Sequence, residues 1–260
     1  MEILQTEVDA RGVARLIMNR PARHNAFDEA LIEALHAAVE RCAADPAVRV
    51  LLLCGAGASF SAGADIDWMR RAASASEADN RADAERFAAM LHALASCPKP
   101  SVARVQGLAL GGGVGLACAC DIAVAASDAR FAVSEARFGI LPAVIGPYLM
   151  RAVGPRQAQR LALTAERVSA AEALALGMVQ RLVKPSMLDE AVEACVLELL
   201  ASGPQAQAEI KALFAQLRPD DLGPQARALT ANTIARVRAT PEAREGFSAF
   251  VEKRSPAWKT

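Results

Sequence analysis

Two loops of small residues are the segments of this sequence whose composition could do chemistry. One is residues 60–65, FSAGAD, and the other is residues 108–113, LALGGG; each follows an apolar run typical of a buried strand. Glycine and alanine let a backbone N–H approach a ligand closely, and an N–H at a strand end or helix start can face an oxygen that becomes negative. Two such donors would form an oxyanion hole. Taken singly, each loop is more typical of a tight turn or of close helix–strand packing than of a ligand site.

Common catalytic and metal-binding motifs are missing from the sequence. It contains no G-x-S-x-G elbow, no G-x-x-x-x-G-K-[ST] phosphate loop and no H-E-x-x-H helix, which disfavours hydrolases, nucleotidases and zinc proteases. The triplet Gly111–Gly113 lacks the spacing of the dinucleotide-binding motif G-x-G-x-x-G. Cys118 and Cys120 have no second cysteine or histidine cluster to complete four ligands, so we expect no metal.

The two loops need a scaffold, and the apolar pattern predicts one of alternating strands and helices. Residues 2–8 and 13–18 flank a turn and predict a hairpin. Apolar positions at helical spacing after Asp28 predict a helix that ends near Asp45-Pro46. Continuous apolar runs at residues 48–54 and 101–105 predict strands buried on both faces.

Further elements follow the same alternation toward the carboxyl end. A polar-rich helix is predicted near residues 77–95, and short strands at residues 122–126, 130–133 and 178–183. Ser169 opens a capping box with Glu172, which predicts a helix closed by Gly177. Strand, loop and helix units of this kind indicate an α/β fold with a sheet rich in parallel strands.

Length and composition are those of a neutral globular protein. The 260 residues include 29 basic and 29 acidic side chains, a balance that argues against nucleic acid or an anionic membrane as partner. No apolar run reaches the ~20 residues that span a bilayer. The first residues have no signal-peptide pattern, and the six cysteines stand in the apolar context of reduced core thiols; we therefore expect a cytoplasmic location.

Ten segments together carry a resemblance that neither loop carries alone: residues 19–21, 25–26, 60–66, 105–113, 120–122, 134–135, 139–140, 152–154, 171–177 and 250–254. In this order, over essentially the whole chain, they resemble the crotonase family, also called the enoyl-CoA hydratase/isomerase superfamily. The resemblance implies a spiral of ββα units over residues 1–200 and a helical trimerisation region over residues 201–260. It also implies a homotrimer or a dimer of trimers, and an acyl-CoA thioester as substrate, with no cofactor beyond the coenzyme A that the substrate carries.

The resemblance also implies the reactive groups. The backbone N–H groups of Ala62 and Gly112 would hold the thioester oxygen, and losing one such donor typically costs on the order of 3 kcal/mol of transition-state stabilisation. Glu135 would be the acid/base. Typical hydratases of the family carry another glutamate in the helix after the glycine triplet, and here that position is Gly115.

One carboxylate leaves two reactions open. It could take a proton from water and return one to C2, which is hydration of a 2-enoyl thioester, or move a proton from C2 to C4, which is isomerisation of a 3-enoyl thioester. Residues 131–153, 164–167 and 255–258 most closely resemble bacterial methylglutaconyl-CoA and carboxygeranoyl-CoA hydratases, so hydration leads and isomerisation is the alternative. A non-catalytic relative is the third interpretation, because one familiar carboxylate is missing.

Further substrate contacts are predicted around these groups. Arg23 and Lys253 could meet the coenzyme A phosphates, and Arg137 a distal carboxylate of the acyl group, although all three residues are also typical of a solvated surface. Ile66 and Trp68 could line an acyl tunnel as one face of a helix, or simply belong to the core. The remaining predicted contacts are Ala64, Asp65, Gly113, Gly115 and Pro142, the last of these in a bulky segment that should shape the acyl pocket.

Overall fold

The computed structural model describes residues 2–218 and 220–259, which form an α/β fold and confirm the predicted class. The strands are β1 (Leu4–Val8), β2 (Val13–Met18), β3 (Val50–Gly55), β4 (Ser101–Val105), β5 (Leu108–Leu110), β6 (Ile122–Ala126), β7 (Arg130–Ala132), β8 (Arg167–Ser169) and β9 (Arg181–Val183). The helices are α1 (Glu29–Ala44), α2 (Ile66–Ser74), α3 (Glu77–Ser96), α4 (Gly112–Ala119), α5 (Gly146–Thr164), α6 (Ala170–Ala175), α7 (Leu188–Leu200), α8 (Pro204–Gln216), α9 (Pro224–Arg238) and α10 (Pro241–Glu252).

Six strands form the main sheet in the order β1-β2-β3-β4-β6-β9. The hairpin of β1 and β2 is antiparallel, as predicted, and the remaining neighbours are parallel. Parallel strands end at the same edge of a sheet, so the loops that follow β3 and β4 leave the sheet side by side. These are the two loops of small residues, and the topology alone therefore brings them together.

The central strands are apolar on both faces because both faces are covered. On β3, Leu51 and Leu53 belong to the core shared with α1, α3 and α4, whereas Val50 and Leu52 face α7. The continuous apolar run that predicted this strand reflects that double burial. Helix α1 begins where predicted, with the Asp28 carboxylate accepting the N–H of Leu31 at 3.1 Å.

A second sheet of three strands, in the order β5-β7-β8, lies beside the main one. β5 pairs with β7 in parallel, with Leu110 opposite Ala132, so the chain leaves both strands at the same edge. Ser61 forms a β-bridge with Ala109, which joins the loop after β3 to this small sheet. The small sheet thereby positions the start of α4, which follows β5, and the segment at Glu135, which follows β7.

Three local details differ from the sequence predictions. Helix α4 already begins at Gly112, inside the predicted glycine loop, and α2 is a complete helix where the sequence predicted only that Ile66 and Trp68 could share one helix face. The predicted strand at residues 178–183 shortens to β9, and Gln180 just before it bonds Ala123 twice, donating its backbone N–H to the Ala123 carbonyl at 2.9 Å and accepting the Ala123 N–H with its side-chain oxygen at 2.7 Å.

The last three helices confirm the predicted helical character of the tail. Gln207 and Ala249 are their only buried residues in the part of the chain that the structure describes, and Phe214, Phe247 and Phe250 are exposed. Arg49 fastens this region to the start of β3 by hydrogen bonds to the carbonyl groups of Leu200, Ser202 and Trp258. Within the described residues, no helix has the length and hydrophobicity needed to cross a membrane.

Candidate active site

The start of helix α4 supplies free backbone donors. After β5, Gly111 adopts φ 51° and ψ −119°, which suits glycine, and its N–H donates to the Ala132 carbonyl at 2.8 Å. The N–H groups of Gly112 and Gly113 then have no acceptor among residues 2–218 and 220–259, as is usual in the first turn of a helix. Because the amino end of a helix carries partial positive charge, these amides favour a negative oxygen.

Gly112 must be glycine because aromatic rings occupy the space of a side chain. A Cβ there would lie 2.2 Å from Cζ of Phe27 and 3.0 Å from Cζ of Phe87. The two rings pack at 5.2 Å between centroids and close this side of the helix start. The amide of Gly112 is thus held in place from behind by apolar packing.

The loop after β3 corrects one prediction. The N–H of Ala62 donates to the carbonyl of His24 at 2.9 Å, so it is not free to bind a ligand. The N–H of Ala64 has no acceptor in the described part of the chain. Both of its neighbours bond the backbone of Phe27: the carbonyl of Gly63 accepts the N–H of Phe27, and the N–H of Asp65 donates to the carbonyl of Phe27. Ala64, not Ala62, is the donor that this loop offers.

The loops that carry Ala64 and Gly112 touch each other. A Cβ on Gly63 would lie 2.7 Å from the carbonyl oxygen of Leu110 and 3.6 Å from the nitrogen of Gly112. On the other side, a Cβ on Gly113 would lie 2.5 Å from the carbonyl oxygen of Ser61. Glycine at these two positions permits the close approach that places two unpaired amides side by side.

Glu135 reaches the same place from β7. The chain leaves β7 beside β5, and a short 3-10 helix spans Glu135–Phe138 and is capped by Gly139, where φ is 74°. The carboxylate Oε1 lies 3.1 Å from where a Cβ on Gly111 would stand, one residue before the free amide of Gly112. The structure therefore brings together Glu135 and Gly112 as the sequence predicted, with Ala64 as the second amide.

The carboxyl group of Glu135 is held without a charge partner. Its Oε2 is buried and has no hydrogen-bond partner among the described residues. Burial disfavours the charged form and raises the pKa of Glu135 above its usual value. A carboxyl group with a raised pKa beside two free amides is a typical acid/base arrangement.

The position of the missing second glutamate is closed by Ile145. A Cβ on Gly115 would lie 2.3 Å from Cγ2 and 2.9 Å from Cβ of Ile145, so no side chain fits there. Ile145 is the one buried residue of the segment 136–148, whose other members are exposed or half-buried. Gly115 is consequently a packing position, and the prediction that it contacts substrate is not supported.

Asp65 also has a different part from the predicted substrate contact. Its carboxylate is 3% exposed, accepts Arg20 at 2.9 Å and Arg23 at 2.8 Å, and caps α2 through the N–H of Asp67. Burial alone would raise the pKa of Asp65, but the hydrogen bonds from Arg23 and from the Asp67 amide, with the two arginine charges, hold that pKa below its usual value. Asp65 thus fastens the loop that carries Ala64.

Arg23, Ile66 and Trp68 surround this loop. Arg23 is half-exposed and paired with Asp65 and Asp67, which leaves it at the surface near Ala64. Ile66 is 67% exposed, and the indole N–H of Trp68 donates to a carboxylate oxygen of Asp83 at 3.0 Å.

The remaining predicted contacts lie farther along the chain. Pro142 is half-buried in the segment before Ile145. Arg137 is exposed and donates through Nε to the carbonyl of Ala165 at 3.1 Å. The structure does not bring Lys253 to this cluster: it follows α10, a helix whose first turn is bonded through Glu242 to the start of α8.

Two buried polar residues of the site, Asn25 and Ser61, were not predicted as functional residues. They belong to segments 25–26 and 60–66, which carry the family resemblance. Both are 0% exposed and hydrogen-bonded to the backbone of neighbouring loops. An asparagine four residues after Arg-Pro is also compatible with an ordinary turn, so the sequence carried no signal for their bonds. No cluster of three or more potential metal ligands occurs among the described residues.

Comparison with known proteins agrees with this fold. Residues 9–260 match the model of the family described as enoyl-CoA hydratase/isomerase, and the chain belongs to that family of enzymes, with its crotonase fold. The crystal structure of an enoyl-CoA hydratase from Shewanella pealeana is 40% identical, with a TM-score of 0.95 over 99% of this chain and 96% of that one. The structure of an enoyl-CoA hydratase from Mycobacterium smegmatis is 39% identical, with a TM-score of 0.94 over 100% of both chains.

A curated relative points the same way. The crotonyl-CoA hydratase of Syntrophomonas wolfei is 35% identical over 244 residues, which cover 93% of this chain and 92% of the relative. The protein is therefore an enzyme of the enoyl-CoA hydratase/isomerase family.

Proposed function

We propose that the enzyme adds water across the 2,3 double bond of an enoyl-CoA thioester. In this proposal the N–H groups of Ala64 and Gly112 hold the thioester oxygen, and Glu135 transfers the protons. The observation that carries it is the position of the Glu135 carboxyl group against Gly111, next to those two amides, with its Oε2 buried and without a hydrogen-bond partner among the described residues. The hydratase names of the relatives support the same reaction.

The chemistry needs one carboxylate. Glu135 accepts a proton from water as the water oxygen bonds to C3, and the π electrons move through C2 to the thioester oxygen. The enolate oxygen is held by the two amides, each worth on the order of 3 kcal/mol in comparable sites. The enolate then takes the proton from Glu135 at C2, which returns the carboxylate to its starting state. No cofactor takes part beyond the coenzyme A of the substrate.

The raised pKa of Glu135 suits this exchange. A group that both takes and returns a proton works best when its pKa lies near the working pH, and an ordinary glutamate is too weak a base. Burial without a cation nearby raises the pKa in that direction. The Asp65 carboxylate is neutralised by arginines and would not serve.

Isomerisation of a 3-enoyl thioester is the second candidate, and Gly115 favours it. Because Ile145 closes the side-chain space at position 115, the site has no room there for a second carboxylate that would help to activate water. Moving a proton from C2 to C4 requires one base and the same oxyanion hole. Hydration leads because the compared hydratases share the fold over nearly the whole chain.

For the acyl group we propose a distal carboxylate, as in 3-methylglutaconyl-CoA or a related branched thioester. Arg137 stands two residues after Glu135, and only its Nε is bonded to protein among the described residues. Its two terminal nitrogens could therefore receive a carboxylate in a bidentate pair. Arg137→Leu should raise the KM for 3-methylglutaconyl-CoA about tenfold or more, as loss of a charged hydrogen bond would, and leave the KM for crotonyl-CoA unchanged.

Arg23 is the proposed contact for the coenzyme A phosphates, since it is half-exposed beside the Ala64 loop. Lys253 would contribute only if a second copy of the chain brought it there. The exposed Phe214, Phe247 and Phe250 support the proposal of a homotrimer or a dimer of trimers, because apolar side chains of this size are costly in water. The cytoplasmic location stays a prediction.

The reaction is tested by offering the purified enzyme crotonyl-CoA, a 3-enoyl-CoA and 3-methylglutaconyl-CoA while following the absorbance of the conjugated thioester. Hydration removes this absorbance from the 2-enoyl substrates and adds one ¹⁸O atom from labelled water. Isomerisation instead creates the absorbance from the 3-enoyl substrate without uptake of label. If the enzyme turns over none of the three substrates, the proposal is contradicted.

The choice between Ala64 and Ala62 is tested by replacing one backbone amide with an ester. An ester at the Ala64 amide removes its N–H and should lower kcat about 10²- to 10³-fold with little change in stability. The matched ester at Ala62 removes the bond to His24 instead, and should lower the melting temperature more than kcat. The opposite pattern would return the oxyanion hole to Ala62.

A further inference from the structure

Asn25 is a buried residue with a left-handed backbone and a side chain that makes three hydrogen bonds. It is 0% exposed, and its φ of 53° lies in the left-handed region that asparagine tolerates better than most residues. Its Oδ1 accepts the N–H of Arg20 at 2.9 Å, and its Nδ2 donates to the carbonyls of Ala56 at 2.9 Å and Ser59 at 2.8 Å. The side chain therefore bonds its own loop to the loop after β3.

A second set of bonds continues from Asn25 toward the two amides. The Ser61 hydroxyl donates to the carbonyl of Asn25 at 2.9 Å and accepts the N–H of Gly63 at 3.2 Å, one residue before Ala64. The backbone of Ser61 also pairs with β5 at 2.9 and 3.0 Å, the strand that ends just before Gly112. Ser61 thus connects the loop that carries Ala64 to β5, the strand before Gly112, and its hydroxyl is bonded to the backbone of Asn25.

We propose that Asn25 is a positioning residue whose side-chain amide sets the spacing of the Ala64 and Gly112 amides by holding the carbonyls of Ala56 and Ser59, in the loop that continues through Ser61 to Ala64. The proposal rests on the proposed function, because it takes these amides as the oxyanion hole. Donors fixed before the reaction stabilise an enolate oxygen best, and a displacement of about 1 Å can lower a rate on the order of 10²-fold. No other side chain in the described residues bonds both Ala56 and Ser59.

Asn25→Gly separates the side-chain bonds from the backbone conformation, since glycine also adopts a left-handed φ without strain. We expect kcat for a short 2-enoyl-CoA to fall about 10- to 100-fold while KM stays within about twofold. Asn19→Gly is the matched control. Asn19 lies in the same loop, and its side chain makes one hydrogen bond, to the carbonyl of Glu2 at 3.0 Å, away from the amides. Its kcat should equal that of the wild type.

Hydrogen–deuterium exchange supplies a readout that does not depend on turnover. In Asn25→Gly, protection should fall in residues 59–65 and 108–113 and stay unchanged in α7 and in the main sheet. A wild-type kcat in Asn25→Gly overturns the proposal. So does exchange that rises over the whole chain while KM increases as much as kcat falls, which would indicate a structural role only.

The two proposals fail in different ways. If the wild-type enzyme turns over no enoyl-CoA, the proposed reaction is wrong, and the exchange pattern then decides alone whether Asn25 positions these two loops. If the wild type is active and Asn25→Gly changes neither kcat nor exchange, only the role of Asn25 is wrong.

Discussion

The site contains two carboxyl groups with buried oxygen atoms, and their surroundings are opposite. In the region of Asp65, two arginines and a backbone N–H bind the carboxylate, which holds its pKa below the usual value. In the region of Glu135, Oε2 has no partner within the described residues, and burial raises the pKa. One group is kept charged and the other is kept close to exchanging its proton.

The difference shows how the molecule separates fastening from chemistry. Charges are used where a loop must be held, because a paired carboxylate is stable and unreactive. The Glu135 carboxyl group, for which we propose the proton transfers, has a buried oxygen without a partner among the described residues, and burial keeps its proton affinity high. The neutral overall charge of the chain conceals both arrangements.

The largest expected effect comes from removing the unpartnered group. Glu135→Gln should lower kcat about 10²- to 10⁴-fold, as for loss of an acid/base. The same substitution should raise the stability of the fold at neutral pH. Because the folded pKa of Glu135 is raised, the folded state holds the proton more tightly, and stability falls as pH rises from about 4.5 through that pKa.

The stability arm of this prediction is measured by thermal unfolding at two pH values. At pH 7 the glutamine variant should melt above the wild type, and below about pH 4.5, where both side chains are neutral, the difference should vanish. A variant that is inactive and less stable at pH 7 would show that Glu135 is partnered after all.

Removing the paired group should act in the opposite sense. Asp65→Asn leaves Arg20 and Arg23 without their carboxylate and should destabilise the fold by about 2 kcal/mol at pH 7, reduced from the full cost of a buried pair because Arg23 is half-exposed. The pKa of Asp65 is lower in the folded state than in the unfolded chain. The stability that its charge contributes is therefore present above about pH 3.8 and is lost as the pH falls through the pKa of the folded state.

Urea unfolding at pH 7 and pH 3 checks this sign, since the gap between wild type and Asp65→Asn should narrow at the lower pH. Asp67→Asn is the control on the same helix start; its carboxylate is 49% exposed and should matter by less than about 1 kcal/mol. Equal effects of the two substitutions would remove the contrast between the two regions.

A third variant tests why the Glu135 region has no second carboxylate. Gly115→Ala places a Cβ against Ile145 and should destabilise by about 1–3 kcal/mol through overpacking. In an Ile145→Ala background the same change should cost less, with a coupling free energy of about 0.5–3 kcal/mol in a double-mutant cycle of thermal unfolding. Simple additivity would mean that Ile145 does not close the position.

The smallest effect is expected from the exposed member of the Asp65 region. Arg23→Gln should leave the melting temperature almost unchanged, because half-exposed ion pairs contribute little to stability. The KM for an acyl-CoA should rise a few-fold with kcat unchanged if Arg23 meets the phosphates. An unchanged KM would leave Arg23 with a fastening role only.

Most elements of the fold could be predicted from the sequence, since each depends on local pattern. The hairpin, α1 with its Asp28 cap, the buried strands and the Ser169-capped helix all follow from apolar spacing and capping residues. The start of α4 at Gly112 could not be predicted from the local pattern, because glycine is a poor helix former.

The site could be predicted only in part. The resemblance located Glu135 and Gly112, but nothing in the sequence distinguishes the amide of Ala62 from that of Ala64. That distinction depends on which N–H meets the carbonyl of His24, a contact between loops 38 residues apart in the chain. Asp65 was misassigned for a similar reason, because its arginine partners come from the loop before α1.

The sequence by itself determined the class of fold, the order of its elements and the residue types available for catalysis, because local spacing and turn chemistry encode these. Only the tertiary structure decided which of these groups are paired and which are not. Whether an amide is free, whether a carboxyl group is paired and whether position 115 can hold a side chain all depend on neighbours from distant segments. Burial and pairing, which set pKa and donor availability, exist only once the chain is folded.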